Sequence, residues 1–313
     1  MKTITLFDTS AASDNLGDQI IVQAVQDVIQ DILPDAYVYT VATHEHITRA
    51  SKELLHKSEF SIVAGTNILA SNMEARVLWK LFPWDAFAFD HAILFGCGWL
   101  NYMKPPNAYS RWMLSRVLSS KYLHAVRDGY AEQRIAALGK RVVNTSCPTM
   151  WQLTPEHCAT IPKKKAASAV ITFTHYLGKP DIDRKFAELV KAHYGTVYFW
   201  PQQREDMAYF QTLGVSGYQL VNPSLQSYNR LLEDNDIDFI GARLHGGIRA
   251  LQKRRRALIL KMDIRATEIA KGTDLPVVDR TDFDYMERWI EGPSETVIRL
   301  PQAAIDSWKA QYR

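Results

Sequence analysis

The stretch that decides the fold is "FIGARLHGGIRAL", Phe239 to Leu251. It opens as an apolar run of strand length, reaches Gly241-Ala242, and turns helical. Arg243 and His245 therefore stand just past the carboxyl end of a buried strand. At extended spacing, two positions apart, their side chains point the same way. Gly246 and Gly247 permit close backbone approach and can open a helix there. The free N–H groups and dipole of a helix start favour an anion. Arg249 is expected in the first turn of that helix, where a cation is disfavoured unless something negative is bound. The joint reading is a bound carboxylate or phosphate, held by bidentate arginines. The alternative is an exposed strand-to-helix turn with solvated arginines, in which His245 only orients its neighbours.

Outward from this point the same rhythm repeats. "TITLFDT", "AYVYTV", "FSIVAGT", "HAILFGCG" and "YLHAVRD" read as strands in the first half, with helical patterns after the first, the fourth and the fifth. In the second half "AVITFTH", "TVYFWPQQ", "YQLV", "DFIGAR", "ALILKMD" and "LPVVD" read as strands, again with helices between them. Alternation of this kind predicts parallel sheets covered on both faces. The segment "TPEHCATIPKKKAAS", Thr154 to Ser168, breaks the rhythm and reads as a linker, with Lys163–Lys165 solvated. The expected architecture is two tandem Rossmann-like, doubly wound domains, residues 1–155 and 165–313, the second carrying the C-terminal helices. Ligands of such sheets bind at the carboxyl ends of the strands, and the cleft between the domains is the expected site.

Two other places carry candidate chemistry. In "HAVRDGYAEQRIAALG", Arg127 ends a short strand and Asp128 is placed to cap the next helix. An anion contact and a plain Arg–Asp surface pair both fit. In "DTSAASDNLGDQII", the loop after the first strand offers Asp14, Asn15 and Asp18 to the hydroxyls of a polar ligand. Asp18 also fits as an acid favoured by the helix dipole. The loop is not G-x-G-x-x-G, and no P-loop, G-x-S-x-G, zinc-ligand spacing or D-x-D pair occurs. No metal and no cofactor are expected.

Composition narrows the class. The 313 residues are 47% apolar and 23% charged, ordinary for a chain with a sizeable core. A net charge of +3, without a basic stripe interleaved with aromatics, argues against nucleic acid. The cysteines, Cys97, Cys147 and Cys158, form no C-x-x-C, and their odd number is not a disulfide framework, so a reducing cytosol is expected. The N-terminal apolar run is broken at Asp8, too early for a signal peptide. The most hydrophobic region contains Asp90 and His91 and is no membrane span. Peripheral attachment stays open.

Taken together, "DNLGDQ", "VAGTN", "FGCG", "VRDGYAEQRIAALG", "SCPTMW" and "GARLHGGIRAL…LILKMDIRATEIA" resemble the polysaccharide pyruvyl transferase family, over roughly residues 5 to 275. The R-x-H-G motif with its later D-x-R is the most specific element. The resemblance implies a GT-B-like fold and transfer of the pyruvyl group of phosphoenolpyruvate to two hydroxyls of a sugar as a cyclic ketal, with release of phosphate. It implies donor contacts at Arg127, Arg243 and His245, with Arg249 where a basic residue is expected. His245 is assigned as general acid toward the donor's methylene carbon, and Asp14 or Asp18 as acceptor of the sugar's proton. The chain departs from the family at "SCPTMW", where an Asp-Pro is common, and at "FTHYLG", where His175 replaces an expected arginine and takes its donor contact. The implied acceptor is a lipid- or nucleotide-linked sugar at the inner face of a membrane, in exopolysaccharide or cell-wall polysaccharide synthesis. Rival readings are a nucleotide-sugar glycosyltransferase of the same fold and a non-catalytic sugar- or phosphate-binding scaffold. The oligomeric state is not readable.

Overall fold

Strand-then-helix alternation is realised twice in a computed structural model that describes residues 1–313. The first series is β1 (Thr3–Asp8), α1 (Leu16–Ile32), β2 (Tyr37–Ala42), α2 (Arg49–Lys57), β3 (Phe60–Ala64), β4 (Ala92–Cys97), α3 (Ala108–Val117), β5 (His124–Val126), α4 (Gly129–Ala136) and β6 (Val142–Asn144). Its six strands form a parallel sheet in the order β2-β1-β3-β4-β5-β6. The second series is α5 (Pro155–Ala159), β7 (Ser168–Thr172), α6 (Pro180–His193), β8 (Thr196–Phe199), α7 (Arg204–Thr212), β9 (Gln219–Leu220), α8 (Leu225–Asp234), β10 (Ile237–Gly241), α9 (Leu244–Gln252), β11 (Ala257–Lys261), α10 (Ile264–Thr273), β12 (Val277–Asp279), α11 (Phe283–Glu291) and α12 (Gln302–Ala310). Its six strands are again parallel, in the order β12-β11-β10-β7-β8-β9.

Every residue of β3, β4, β7 and β10 is buried. These central strands are covered on both faces, so they read as mainly apolar runs, whereas the edge strand β2 is largely exposed. The expected pair of Rossmann-like, doubly wound sheets is thus the observed one. In the second sheet the order reverses between β7 and β10, and the ends of those two strands flank the crevice where ligands of open α/β sheets bind. Gly241 closes β10 against Thr172, where a Cβ would fall 2.3 Å from the threonine Oγ1.

The chain divides into two compact units, Met1–Ser13 with Ile21–Trp151 and Leu300–Arg313, and Asp14–Ile20 with Gln152–Arg299. The last helix differs from its expected place in the second domain. Trp308 of α12 stacks on Phe95 of β4 at 4.2 Å, and with Tyr312 joins the core under β1 and β3. An apolar face of that size is stable only where a matching surface remains uncovered. The segment from Thr154 also departs from a plain linker. Thr154 caps α5, and Cys158 and Ile161 are buried, while Lys163 and Lys165 pair at the surface with Glu295 and Glu291. Neither α2 nor β6 is foreseen from the sequence. The former has only Thr48 as its cap and one buried residue, Leu55, and the latter is three residues long. No helix is long and apolar enough to cross a membrane.

Candidate functional site

Arg243 is the residue around which the carboxyl end of the second sheet is built. Its backbone N–H donates to Thr172 Oγ1 at 3.1 Å, which ties the end of β10 to the end of β7. Its Nε donates to the Phe173 carbonyl and to Asp206 Oδ2, each at 3.0 Å. Its Nη2 donates to Gln203 Oε1 at 2.7 Å and to both oxygens of Asp206. The ring of Tyr176 lies 5.5 Å from the guanidinium carbon. Arg243 is 5% exposed and Asp206 is fully buried. The solvated-turn alternative therefore does not describe this arginine.

Asp206 is a member of this candidate site that sequence reading misses. It sits in the first turn of α7, where the dipole favours an acid. Its carboxylate also accepts from the backbone N–H groups of Gln202, Gln203 and His175, and from His175 Nδ1 at 3.2 Å. A carboxylate only accepts, so His175 Nδ1 is the donor in this contact, held by the same carboxylate as Arg243. The only sequence signal is an acid three residues into a helix, which is common and names no partner 37 residues away.

The loop after β7 is held by arginines from three neighbouring strand ends. Arg243 follows β10 and reaches the Phe173 carbonyl. Arg265 follows β11, donates to the Tyr176 hydroxyl at 2.8 Å, and pairs with Asp263, the cap of α10. Arg280 follows β12, donates to the Leu177 carbonyl at 2.7 Å, and pairs with buried Asp183 at 2.9 Å. The D-x-R of the sequence thus positions Tyr176.

His245 lies in the first turn of α9 and is 5% exposed. The helix begins at Leu244, two residues earlier than expected, and this changes the reading of its neighbours. The close approach allowed by Gly246 and Gly247 is to the sheet. A Cβ on Gly247 would sit 2.4 Å from Ile259 Cγ1, and one on Gly246 would sit 3.2 Å from the Phe239 ring. Arg249 stands in the last turn, where the dipole favours a cation, with its charge bearing on Tyr228 and Glu233. The expectation of Arg249 beside an anion at the helix start is corrected by that placement. At the shifted N-terminus the first intrahelical bond runs from Gly247 N to Arg243 O at 3.1 Å, ahead of which lie the amides of Leu244, His245 and Gly246.

The loop residues Asp14, Asn15 and Asp18 separate into different roles. Asp14 Oδ1 accepts from Gln203 Nε2 at 3.0 Å, so Gln203 bridges Asp14 and Arg243. Asn15 Oδ1 accepts from Gly17 N at 3.0 Å at the start of α1. Asp18 is 6% exposed, in the first turn of that helix, as the dipole reading expects.

In the first unit, Arg127 directly follows β5 and is 2% exposed. Its Nε donates to Asp128 Oδ2 at 3.2 Å and its Nη2 to Asn67 Oδ1. Asp128 also caps α4, accepting from Ala131 N at 2.7 Å. This pair is buried and not the surface pair that the sequence also allowed. Gly98 makes the room: a Cβ there would lie 2.3 Å from the Arg127 guanidinium carbon. The neighbouring thiols of Cys97 and Cys147 are pushed up by burial, that of Cys97 to about 12, so neither is a thiolate nucleophile.

The family model described as polysaccharide pyruvyl transferase matches residues 15–263. No curated protein matches the chain. Among solved structures, the UDP-GlcNAc 2-epimerase of Neisseria meningitidis bound to UDP-GlcNAc is similar over 100% of both chains, with 15% identity and a TM-score of 0.49. UGT89C1 of Arabidopsis thaliana, complexed with UDP-L-rhamnose, is similar over 99% of this chain and 94% of its own, with 9% identity and a TM-score of 0.43.

Proposed function

The chain belongs to the polysaccharide pyruvyl transferase family, and from that premise we propose that it moves the pyruvyl group of phosphoenolpyruvate onto two hydroxyls of one sugar as a cyclic ketal. The observation that carries this reading is the R-x-H pair at the switch point of the second sheet. Arg243 and His245 stand there at a helix N-terminus, inside the matched region.

Phosphoenolpyruvate brings a carboxylate and a phosphate. Asp206 already balances the charge of Arg243 and uses its Nε–Nη2 edge. The guanidinium then acts as an oriented donor through Nη1, and the amides of Leu244, His245 and Gly246 supply the rest of the anion's bonds. His245 donates a proton to the methylene carbon, which becomes the methyl group and leaves an oxocarbenium-like centre at the neighbouring carbon. One sugar hydroxyl adds to that carbon and loses its proton to Asp14. The carbon–oxygen bond to phosphate breaks, phosphate leaves with the proton held on Asp14, and the second hydroxyl closes the ketal and returns a proton to His245. Arg243 and the helix amides stabilise the departing phosphate. Arg127 keeps its role as an anion contact of the first sheet, and His175 tunes Arg243 through their shared carboxylate. No step calls for a metal or cofactor. The work belongs to a cytosolic protein of polysaccharide synthesis at a membrane face. Trp84, Phe87 and Trp112, 61%, 70% and 40% exposed, are side chains of the kind that seat in a lipid interface.

Calorimetric titration of phosphoenolpyruvate tests the donor. Saturable binding is expected for the wild type, weakened about tenfold to a hundredfold by Arg243→Lys, which keeps the charge toward Asp206 but loses the fork. His245→Gln should retain binding and slow turnover roughly 10²- to 10⁴-fold. A wild type that binds a nucleotide sugar but not phosphoenolpyruvate is a glycosyltransferase, and the reading fails.

A further inference from the structure

A groove of about 580 Å³ opens in the second unit at the start of α7, and nothing in the donor chemistry above uses it. Leu16, Pro201 and Pro223 give it apolar walls, and Asp14, Gln202 and Gln203 give it polar groups. The volume is that of a small-ligand site, large enough for one or two sugar rings. Gln202 is 2% exposed, lines the groove, and has an Nε2 with no hydrogen-bond partner. A buried amide donor left unmatched is destabilising, and such a group marks a place where a ligand oxygen is expected. The charged side chains of the groove are Asp14, Glu205 and Arg204. Two carboxylates against one guanidinium disfavour an anion and suit a neutral polyol, whose hydroxyls both donate and accept.

We propose that this groove binds the uncharged sugar acceptor. The inference rests on the pyruvyl-transfer reading, and one side chain joins the two sites. Gln203 accepts from Arg243 Nη2 at 2.7 Å through Oε1 and donates to Asp14 Oδ1 at 3.0 Å through Nε2. A hydroxyl held on Asp14 is therefore one side chain away from the guanidinium that orients the donor. The proline faces pack against the C–H face of a ring, while Gln202 Nε2 donates to a ring or hydroxyl oxygen.

The test uses the full chain on a printed array of uncharged glycans ending in hexoses and N-acetylhexosamines. Three proteins are compared: wild type, Ala208→Trp and Gln202→Leu. Ala208 is an exposed residue of the groove wall, so its replacement fills the groove without entering the core. The wild type should bind a subset of glycans. Ala208→Trp should lose that binding, and Gln202→Leu should weaken it about tenfold. Melting curves verify folding, and calorimetry with phosphoenolpyruvate reads the donor site separately. Glycan binding that survives Ala208→Trp, or a folded wild type that binds no glycan at all, overturns the groove as the acceptor site. Glycan binding lost as expected, in a protein that ignores phosphoenolpyruvate, overturns the donor reading and leaves the groove standing.

Discussion

Arg127 and Arg243 are both buried just past strand ends, and they are held in opposite ways. Arg127 takes its carboxylate from the next residue in the chain, and Asp128 spends one oxygen on Arg127 and the other on the cap of α4. Arg243 takes a whole carboxylate from 37 residues away, together with Gln203, the Phe173 carbonyl and the face of Tyr176. The first arrangement is a helix cap that an arginine shares. The second is a network that converges on one guanidinium from the ends of β7 and β10 and the start of α7.

The most severe test of this contrast is Asp206→Ala. It leaves Arg243 buried without its counter-charge, and removal of one partner from a buried pair costs about 3–5 kcal/mol. Chemical denaturation should show that loss, with Asp206→Asn less damaging because the amide oxygen still accepts. If Asp206→Ala is no worse than Asp128→Ala, the two arginines are held equally and the contrast is broken.

Acid should separate the two units next. His124 lies three residues before Arg127, fully buried, with Nδ1 accepting from Leu94 N at 3.1 Å and Nε2 donating to Ser119 O at 2.9 Å. Both nitrogens are committed as a neutral ring, and burial holds its pKa down to about 4, from an ordinary 6.5. Between those values the unfolded chain binds the extra proton, so stability rises with pH across the window. The His124 contribution is complete above about 6.5 and falls away as pH drops toward 4, by roughly 3 kcal/mol in all. Hydrogen exchange at pH 7 and pH 5 should show β4 and β5 losing protection before β10, and His124→Asn should flatten that difference. Equal loss in both sheets would deny His124 this part.

A smaller effect comes from the helix that carries His245. Gly247→Ala drives a Cβ into Ile259 and should destabilise by about 1–3 kcal/mol. Gly129→Ala, at the start of α4, meets nothing within 4 Å and should be neutral or stabilising by up to about 1 kcal/mol. Thermal melts of the two variants measure how much tighter the second sheet packs its site helix. Asp128→Ala removes a cap and the carboxylate of a buried pair, but Arg127 keeps Asn67, so a loss smaller than that of Asp206→Ala is expected in the same melts.

Much of this molecule was readable before folding because its signals are short-ranged. A buried parallel strand is an apolar run, a helix is a period of 3.6, and a cap acts over three residues. Both parallel sheets apart from β6, the cap at Asp128, the acid at Asp18 and the strand-end positions of Arg127, Arg243 and His245 follow from such local rules. Where those rules were weak, the reading failed. Leu244 and His245 can continue a strand as easily as begin a helix, so the sequence alone puts the start of α9 at Gly246 and Arg249 in its first turn, whereas the helix starts at Leu244.

What the sequence alone determined, then, is the architecture and the end of the sheet at which the candidate site stands. Periodicity and chain order suffice for both. Only the tertiary structure decided which acid serves Arg243, that the paired glycines of α9 seat a helix on a sheet, that α12 closes the first core, and that Gln203 links Asp14 to the guanidinium. Each of these is a contact between residues far apart in the chain. Its energy depends on burial and on which surfaces remain uncovered once the strands are ordered, quantities that no local window contains.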